Sequence, residues 1–226
     1  MLPSSFVTLL DLQEAAKTAR RDGWCSLNGS VEDVRSAGLR HGWREVPNRT
    51  SGPPVSVLRP TSQAAAPRRS LSAIHGLDRQ PLHTDGAHIR HPPDIVILVA
   101  ANPTPVPTLV SHVFRSKGRP ARWPPHLNHG VFLVKNGRES FYTTAGLGPG
   151  VRFDPGCMTP CDQRARQLSD YFVRLSDDAE KYEWTAANQV LVIDNRRTVH
   201  GRAAANSPGD EDRALSRISF LTEGKL

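Results

Sequence analysis

Apolar runs of strand length dominate the pattern of hydrophobic and polar positions after about residue 80. The segment Asp94–Ala100 is almost continuously apolar, which is typical of a strand buried on both faces. Asn136-Gly137 separates two shorter apolar runs and favours a tight hairpin turn. The predicted strands are His83–His88 (a strand or the end of one), Asp94–Ala100, Thr108–Phe114, Val131–Val134, Glu139–Tyr142, Gln189–Asp194 and Leu215–Leu221.

Helical spacing of apolar residues occurs in two places. Near the N-terminus, Asp11 is a predicted helix cap and Gly23 a predicted stop, and a short strand should follow over Gly23–Leu27. In the second half, Thr159 is a predicted N-cap and Pro160 the predicted first helical position. The apolar residues that recur at helical spacing after it are Leu168, Phe172 and Leu175.

Many short strands with a helical insert favour a mainly β (α+β) fold with a jelly-roll core, also called a double-stranded β-helix, and flanking helices. The segment Pro47–Arg69 is rich in Pro, Ser and Ala and has no periodicity, so we predict a long loop that covers a site. A length of 226 residues and the lack of a linker indicate a single domain over residues 1–226.

Composition narrows the possible partners. The net charge is +7 and comes largely from arginines that are scattered along the chain, whereas nucleic-acid-binding proteins more often concentrate them in a stripe. We therefore do not expect nucleic-acid binding, and we expect a bias toward small anionic molecules. Whether the chain forms a homo-oligomer is left open by the sequence.

The sequence also bears on location. No apolar run approaches the roughly 20 residues that span a bilayer, and Met1–Phe6 lacks the features of a signal peptide. The chain has three cysteines, an odd and sparse set that does not form a disulfide framework. These observations predict a soluble, cytoplasmic protein without a membrane partner.

Three residues have the chemistry of a catalytic metal site: His83, Asp85 and His200. Two imidazoles and one carboxylate form the facial triad that holds Fe(II) and leaves coordination positions open. His83 and Asp85 are one residue apart, so on a strand both side chains would point to the same face. Three protein ligands with open positions suit a catalytic site better than a structural one.

The motifs around these residues resemble those of the TauD/TfdA, clavaminate-synthase-like Fe(II)/2-oxoglutarate dioxygenases. The resemblance runs from about Pro81 to Leu221 and keeps the family's order and spacing. The segments that carry it are Pro81-Leu82-His83-Thr84-Asp85-Gly86, Asp194-Asn195-Arg196-Arg197-Thr198-Val199-His200-Gly201-Arg202 and Arg213-Ala214-Leu215-Ser216-Arg217. It implies a 2-oxoglutarate-dependent dioxygenase that consumes O2 and 2-oxoglutarate and releases succinate and CO2.

By position, the resemblance implies that His83, Asp85 and His200 are the iron ligands. It also implies that Thr108 and Arg213 bind the carboxylates of 2-oxoglutarate, and a guanidinium suits this role because its fork accepts a carboxylate through two parallel bonds. Arg217 lies four residues after Arg213 and matches a position that binds an acidic group of the substrate in several relatives. The sequence departs from the family at Pro105-Val106-Pro107-Thr108, where a Gly-Gly-x-Thr pattern is usual.

We expect hydroxylation, or desaturation or cyclisation, of a small anionic or amino-acid-like metabolite, as in a biosynthetic enzyme. Asp85 argues against halogenation, because related halogenases have a small residue in its place. Arg202 and His88 are further candidate substrate contacts, although Arg202 and Arg197 suit structural salt bridges equally well. Two alternatives stay open: a metal-dependent hydrolase that uses His83, Asp85 and His88, and a non-catalytic jelly-roll binding protein.

Overall fold

Short antiparallel strands make up most of the regular structure in the computed structural model, which describes residues 11–47, 52–115 and 123–222. The α-helices are α1 (Leu12–Asp22), α2 (Val31–Arg40), α3 (Leu71–His75) and α4 (Gln163–Leu175). The strands are β1 (Trp24–Asn28), β2 (Arg44–Glu45), β3 (Ser56–Leu58), β4 (Ile95–Ala100), β5 (Thr104–His112), β6 (Phe132–Lys135), β7 (Ser140–Thr143), β8 (Gly146–Leu147), β9 (Gly150–Val151), β10 (Met158–Pro160), β11 (Glu180–Trp184), β12 (Gln189–Asp194), β13 (Thr198–Arg202) and β14 (Leu215–Leu221). A short 3-10 helix, Asp210–Asp212, precedes β14.

Two antiparallel sheets face each other at the centre of the fold. The larger sheet has the order β1-β12-β4-β14-β2, and β3 pairs with the other end of β14. The second sheet has the order β11-β5-β13. Two smaller sheets, β10-β6-β7 and β8-β9, extend the structure on the side of α4. This arrangement confirms the predicted mainly β, jelly-roll class with flanking helices.

Strand β4 shows why the central run is apolar throughout. Alternate residues of a strand point to opposite faces of its sheet. On one face Ile95, Ile97 and Val99 pack against α1 and α2. On the other face Val96, Leu98 and Ala100 belong to the apolar layer between the two sheets, which also contains Val110 and Trp184 of the second sheet. Both faces of β4 are therefore buried, as the sequence predicts.

The first predicted helix is confirmed at both ends. Asp11 is the N-cap of α1, and its side chain accepts a hydrogen bond from the backbone N–H of Glu14. Gly23 ends the helix with φ of 100°, a backbone conformation that side chains disfavour. The predicted hairpin is also present, because Asn136-Gly137 connects β6 to β7 and the Asn136 side chain accepts two backbone hydrogen bonds in the turn.

The predicted start of the second helix is wrong. Thr159 and Pro160 belong to β10, where they pair with Leu133 and Phe132 of β6. The cap is Asp162, whose side chain accepts from the backbone N–H of Ala165, and α4 begins at Gln163. A proline is compatible with an edge strand as well as with a first helical turn, and pairing with β6 decides between them.

The predicted strand over His83–His88 is also wrong. Only His83 pairs, in an isolated bridge with His200, and the chain then turns from Asp85 onward. Helix α2 was missed by the sequence interpretation, although Ser30 and Asp33 form a capping box at its start. Residues 48–51 of the predicted loop Pro47–Arg69 and the segment Met1–Phe6 lie outside the described residues.

A helix that crosses a bilayer needs roughly 20 apolar residues. None of the described helices is long and apolar enough to do so.

Candidate active site

The three predicted metal ligands lie together between the sheets. The backbones of His83 and His200 exchange two hydrogen bonds of 2.9 Å, which brings the segment before the turn against β13. Asp85 Oδ1 lies 3.6 Å from His83 Nε2 and 3.9 Å from His200 Nε2. In the described part of the chain, these residues form the one group of three or more His, Cys, Asp or Glu side chains that could hold a metal ion.

His83 is held in the tautomer that a metal ligand needs. Its Nδ1 lies 3.0 Å from the carbonyl oxygen of Pro81, so Nδ1 carries the proton and donates it to this oxygen. Nε2 then presents its lone pair toward Asp85 and His200. A carbonyl or carboxylate on the distal nitrogen is the usual partner of a metal-binding histidine.

Asn195 fixes the backbone of Asp85, and the sequence interpretation missed this role. Its amide oxygen accepts from the Asp85 N–H at 2.8 Å, and its amide nitrogen donates to the carbonyls of Asp85 and Pro93. The side chain thus replaces the strand pairing that was expected for this segment. The sequence did carry a signal, because Asn195 lies inside the motif that resembles the dioxygenases.

Arg217 forms an ion pair with Asp85. Its Nη1 lies 3.1 Å from both carboxylate oxygens, and its Nε donates to Ser56 Oγ. Burial alone would raise the pKa of Asp85, but the charge of Arg217 and the proximity of the two imidazoles outweigh burial and hold this pKa far below its usual value. Asp85 is therefore a carboxylate at neutral pH, as metal binding requires.

The two histidines differ in their electrostatic surroundings. Burial lowers the pKa of His200 to about 3, and the neighbouring charge of His83 acts in the same direction. Burial also acts to lower the pKa of His83, but Asp85 and Asp154 outweigh it, and the net direction is upward. His200 is therefore neutral at physiological pH. Asp154 was not among the predicted site residues, and it lines the same cavity.

These residues satisfy the requirements of a divalent metal. The ligand atoms of His83, Asp85 and His200 all lie within 4.8 Å of one another, so the three side chains would hold one ion between them. Two neutral imidazole nitrogens and one carboxylate are the donor set of non-heme Fe(II). The chemistry of the donor set and the His83 tautomer therefore fit Fe(II).

A buried cation lies in the same cavity. Arg213 is 3% exposed and forms no ion pair with any carboxylate of the described residues. Its Nε donates to the carbonyl of Val106 and its Nη2 to Thr108 Oγ1, which leaves three of its five N–H groups for a ligand. Burial, together with the nearby charge of Arg202, lowers the pKa of Arg213 to about 10. A buried guanidinium without an acid favours an anionic ligand.

The cavity has a volume of about 690 Å³ and brings most of the predicted site residues together. Its lining includes His83, Asp85, His88, Thr108, His200, Arg202, Arg213 and Arg217. One part of the lining comes from Ser56–Arg59 and from several residues between 61 and 72. Most of these residues belong to the predicted covering loop, Pro47–Arg69, and the others follow directly after it. Arg197 does not line it; its Nη1 donates to the carbonyl of Arg20 instead.

Arg202 is engaged with the backbone. Its guanidinium donates to four carbonyls: Gly76, Leu77, Asp78 and Ala203. These hydrogen bonds hold the segment that follows α3 against β13. Its predicted contact with substrate stays a prediction, and so does that of His88, which lines the cavity but does not belong to the three-residue metal group.

Comparison with solved structures identifies the fold. An asparagine oxygenase, solved with Fe(II), 2S,3S-3-hydroxyasparagine and succinate, superposes with a TM-score of 0.67 at 18% identity, over 93% of this chain and 79% of its own. The non-heme iron oxygenase OrfP, solved with Fe and alpha-ketoglutaric acid, gives a TM-score of 0.66 at 19% identity, over 94% of this chain and 78% of its own. The same oxygenase was also solved with Fe, succinate and (3S)-hydroxy-L-Arg. No protein-family model matches the sequence, and a search of curated proteins found no match.

Proposed function

We propose that this protein is an Fe(II)- and 2-oxoglutarate-dependent oxygenase that oxidises a small, amino-acid-like metabolite bearing a carboxylate. The observation that carries the proposal is one cavity that contains both a three-residue metal site and the buried Arg213 without an acidic partner. A metal site alone would suit many reactions. A buried cation in the same cavity adds a requirement for an anion, and 2-oxoglutarate supplies two carboxylates.

His83, Asp85 and His200 would hold the metal. The chemistry that Fe(II) supplies in such a site is dioxygen activation coupled to conversion of 2-oxoglutarate to succinate and CO2, with oxidation of a substrate C–H bond. Asp85 is ionised and His200 is neutral at physiological pH, so neither has to lose a proton before the metal binds. The presence of Asp85 favours hydroxylation, or desaturation or cyclisation, over halogenation.

Arg213 would bind the distal carboxylate of 2-oxoglutarate through its remaining N–H groups. Thr108 lies next to it, with its hydroxyl 3.2 Å from Arg213 Nη2, and would add a hydrogen bond to the same carboxylate. Burial strengthens both contacts, because few water molecules compete for the charge. The guanidinium and hydroxyl would thereby fix the orientation of the co-substrate in the cavity.

Arg217 would bind the substrate carboxylate. Its Nη1 is held by Asp85, and its Nη2 donates to no described residue, so it is available at the cavity surface. The asparagine oxygenase and OrfP were solved with hydroxylated amino acids, which supports an amino-acid-like substrate. Asp154 also lines the cavity and contributes a negative charge near His83.

The test is a succinate-release assay with Fe(II), 2-oxoglutarate and a panel of amino acids and related carboxylates. We expect succinate in amounts that depend on Fe(II), oxygen and one class of panel compound. Asp85→Ala and Arg213→Ala should reduce it to background, and wild-type turnover in both variants would contradict the site. Product formation without oxygen would instead support the hydrolase alternative, and a chain with no measurable Fe(II) binding would support the non-catalytic one.

A further inference from the structure

Trp184 contacts the proposed co-substrate site through its indole nitrogen. Nε1 donates a hydrogen bond of 3.0 Å to Thr108 Oγ1, and both residues are 1% exposed. The structure places Trp184 at the end of β11, in the apolar layer between the two sheets.

The pairing of β11 with β5 is irregular beside Thr108. The register shifts between Tyr182, which pairs with Thr108, and Trp184, which pairs with Thr104. Pro107 faces the other neighbouring strand, since its carbonyl accepts from the N–H of Ala203, the residue after β13. The sequence departs from the family pattern at Pro105-Val106-Pro107, which lies in this irregular stretch of β5. Trp184 contacts Thr108 directly beside it.

The hydrogen bonds at Thr108 define what its hydroxyl can still do. A threonine hydroxyl has two acceptor lone pairs and one proton to donate. Trp184 Nε1 and Arg213 Nη2 both donate to Oγ1, so both lone pairs are used. The proton has no acceptor among the residues that the structure describes. Thr108 lines the cavity, so a ligand acceptor can meet this proton.

We infer that Trp184 is a positioning residue that makes Thr108 a hydrogen-bond donor to a carboxylate bound beside Arg213. By filling one lone pair, the indole prevents the hydroxyl from turning its proton toward the protein. This inference rests on the proposed function, because the carboxylate is that of 2-oxoglutarate. It adds a residue that touches neither the metal ligands nor the ligand carboxylate.

The test compares Trp184→Phe, Thr108→Val and the double variant by anaerobic calorimetry of 2-oxoglutarate binding to the Fe(II)-loaded protein. We expect Thr108→Val to raise the Kd by about 10- to 100-fold, since it removes a hydrogen bond to a charged group. Trp184→Phe should raise the Kd by about 3- to 10-fold, because the Thr108 hydroxyl is then less well oriented. The double variant should bind no more weakly than Thr108→Val alone, because both changes act on one hydrogen bond.

Trp43→Phe is the matched control. Trp43 is also buried, at 2% exposure, and its Nε1 has no hydrogen-bond partner within the described part of the chain. This variant should lose similar packing and leave the Kd unchanged. If Trp184→Phe does not fold, incorporation of benzothienylalanine at 184, which replaces the N–H by sulfur in a ring of the same shape, provides the measurement.

Several results would overturn the inference. One is a wild-type Kd for 2-oxoglutarate in Trp184→Phe, or in the benzothienylalanine variant, when Thr108→Val binds 2-oxoglutarate more weakly than the wild type. Another is an unchanged Kd in Thr108→Val, and a third is additive effects in the double variant. Failure of the proposed function gives a different result, since the wild-type protein would then bind no 2-oxoglutarate at all.

Discussion

Replacing Arg213 by methionine should abolish co-substrate binding without unfolding the protein. Burial lowers the pKa of Arg213 from 12.5 to about 10, and at about 1.4 kcal/mol per pKa unit the charge lowers the stability of the folded chain by about 3 kcal/mol. Arg213→Met removes this cost together with two hydrogen bonds, to Val106 and Thr108, worth about 1.5–3 kcal/mol each because the guanidinium is charged. The free energy of unfolding should therefore fall by no more than about 3 kcal/mol.

The assay is thermal unfolding under anaerobic conditions with Fe(II), with and without 2-oxoglutarate. A ligand at 100 times its Kd stabilises the folded state by about 2.7 kcal/mol, which corresponds to a Tm increase of roughly 5–10 °C in a chain of this size. The wild type should show this increase. Arg213→Met should not, because the carboxylate loses a charged partner with two or more hydrogen bonds.

Arg202→Met is the matched control, because Arg202 is also buried but donates to four backbone carbonyls. Burial lowers the pKa of Arg202 as well, but its loss should lower the free energy of unfolding more than Arg213→Met does, because it removes four such hydrogen bonds and not two. Two results would refute the reasoning about Arg213. One is a wild-type Tm increase with 2-oxoglutarate in Arg213→Met, and the other is destabilisation of this variant as large as that of Arg202→Met.

Three further predictions concern other parts of the chain. Asn195→Ala should weaken Fe(II) binding by about 10- to 100-fold, because the backbone of Asp85 loses its hydrogen bonds to this side chain. An unchanged Kd for Fe(II) in calorimetry would show that Asn195 does not position Asp85. Burial raises the pKa of Asp194 from 3.8 to about 6, so ionisation destabilises the folded chain progressively as pH rises from about 4 to about 6. In urea unfolding, the free energy of unfolding of Asp194→Asn relative to wild type should thus increase by about 3 kcal/mol between pH 4 and pH 7. A difference between the two proteins that does not change with pH would contradict the raised pKa of Asp194. Burial also raises the pKa of Cys25 to about 11, and it raises the pKa of Cys157 by more. Iodoacetamide at pH 8 should therefore modify the exposed Cys161 first. Equal labelling of the three cysteines in mass spectrometry would contradict this order.

The residues of the candidate site could be predicted from the sequence better than the secondary structure of the segments that contain them. His83, Asp85, His200 and Arg213 could be found because each belongs to a short motif with fixed spacing, and the structure brings all four to one cavity. The strand expected at His83–His88 could not be excluded from periodicity. The side chain of Asn195, 110 positions after Asp85, holds that segment as a turn.

Other features depend on contacts between distant segments. The pairing of Thr159 and Pro160 with β6 turns an apparent helix start into a strand. The hydrogen bond between Trp184 and Thr108 joins residues 76 positions apart, across an irregular pair of strands. Local propensity contains no information on either contact. Arg202 shows the same limit, because its four carbonyl partners become visible only in the folded chain.

The central claim is that one cavity couples a metal held by His83, Asp85 and His200 to 2-oxoglutarate held by Arg213. The most direct measurement is the release of labelled CO2 from 2-oxoglutarate labelled at C1, with Fe(II) and the most active compound of the amino-acid panel. We expect labelled CO2 and succinate in equal amounts from the wild type, and background release without oxygen or in Asp85→Ala and Arg213→Met. Background release from the Fe(II)-loaded wild type across the whole panel, or wild-type release from both variants, would contradict it.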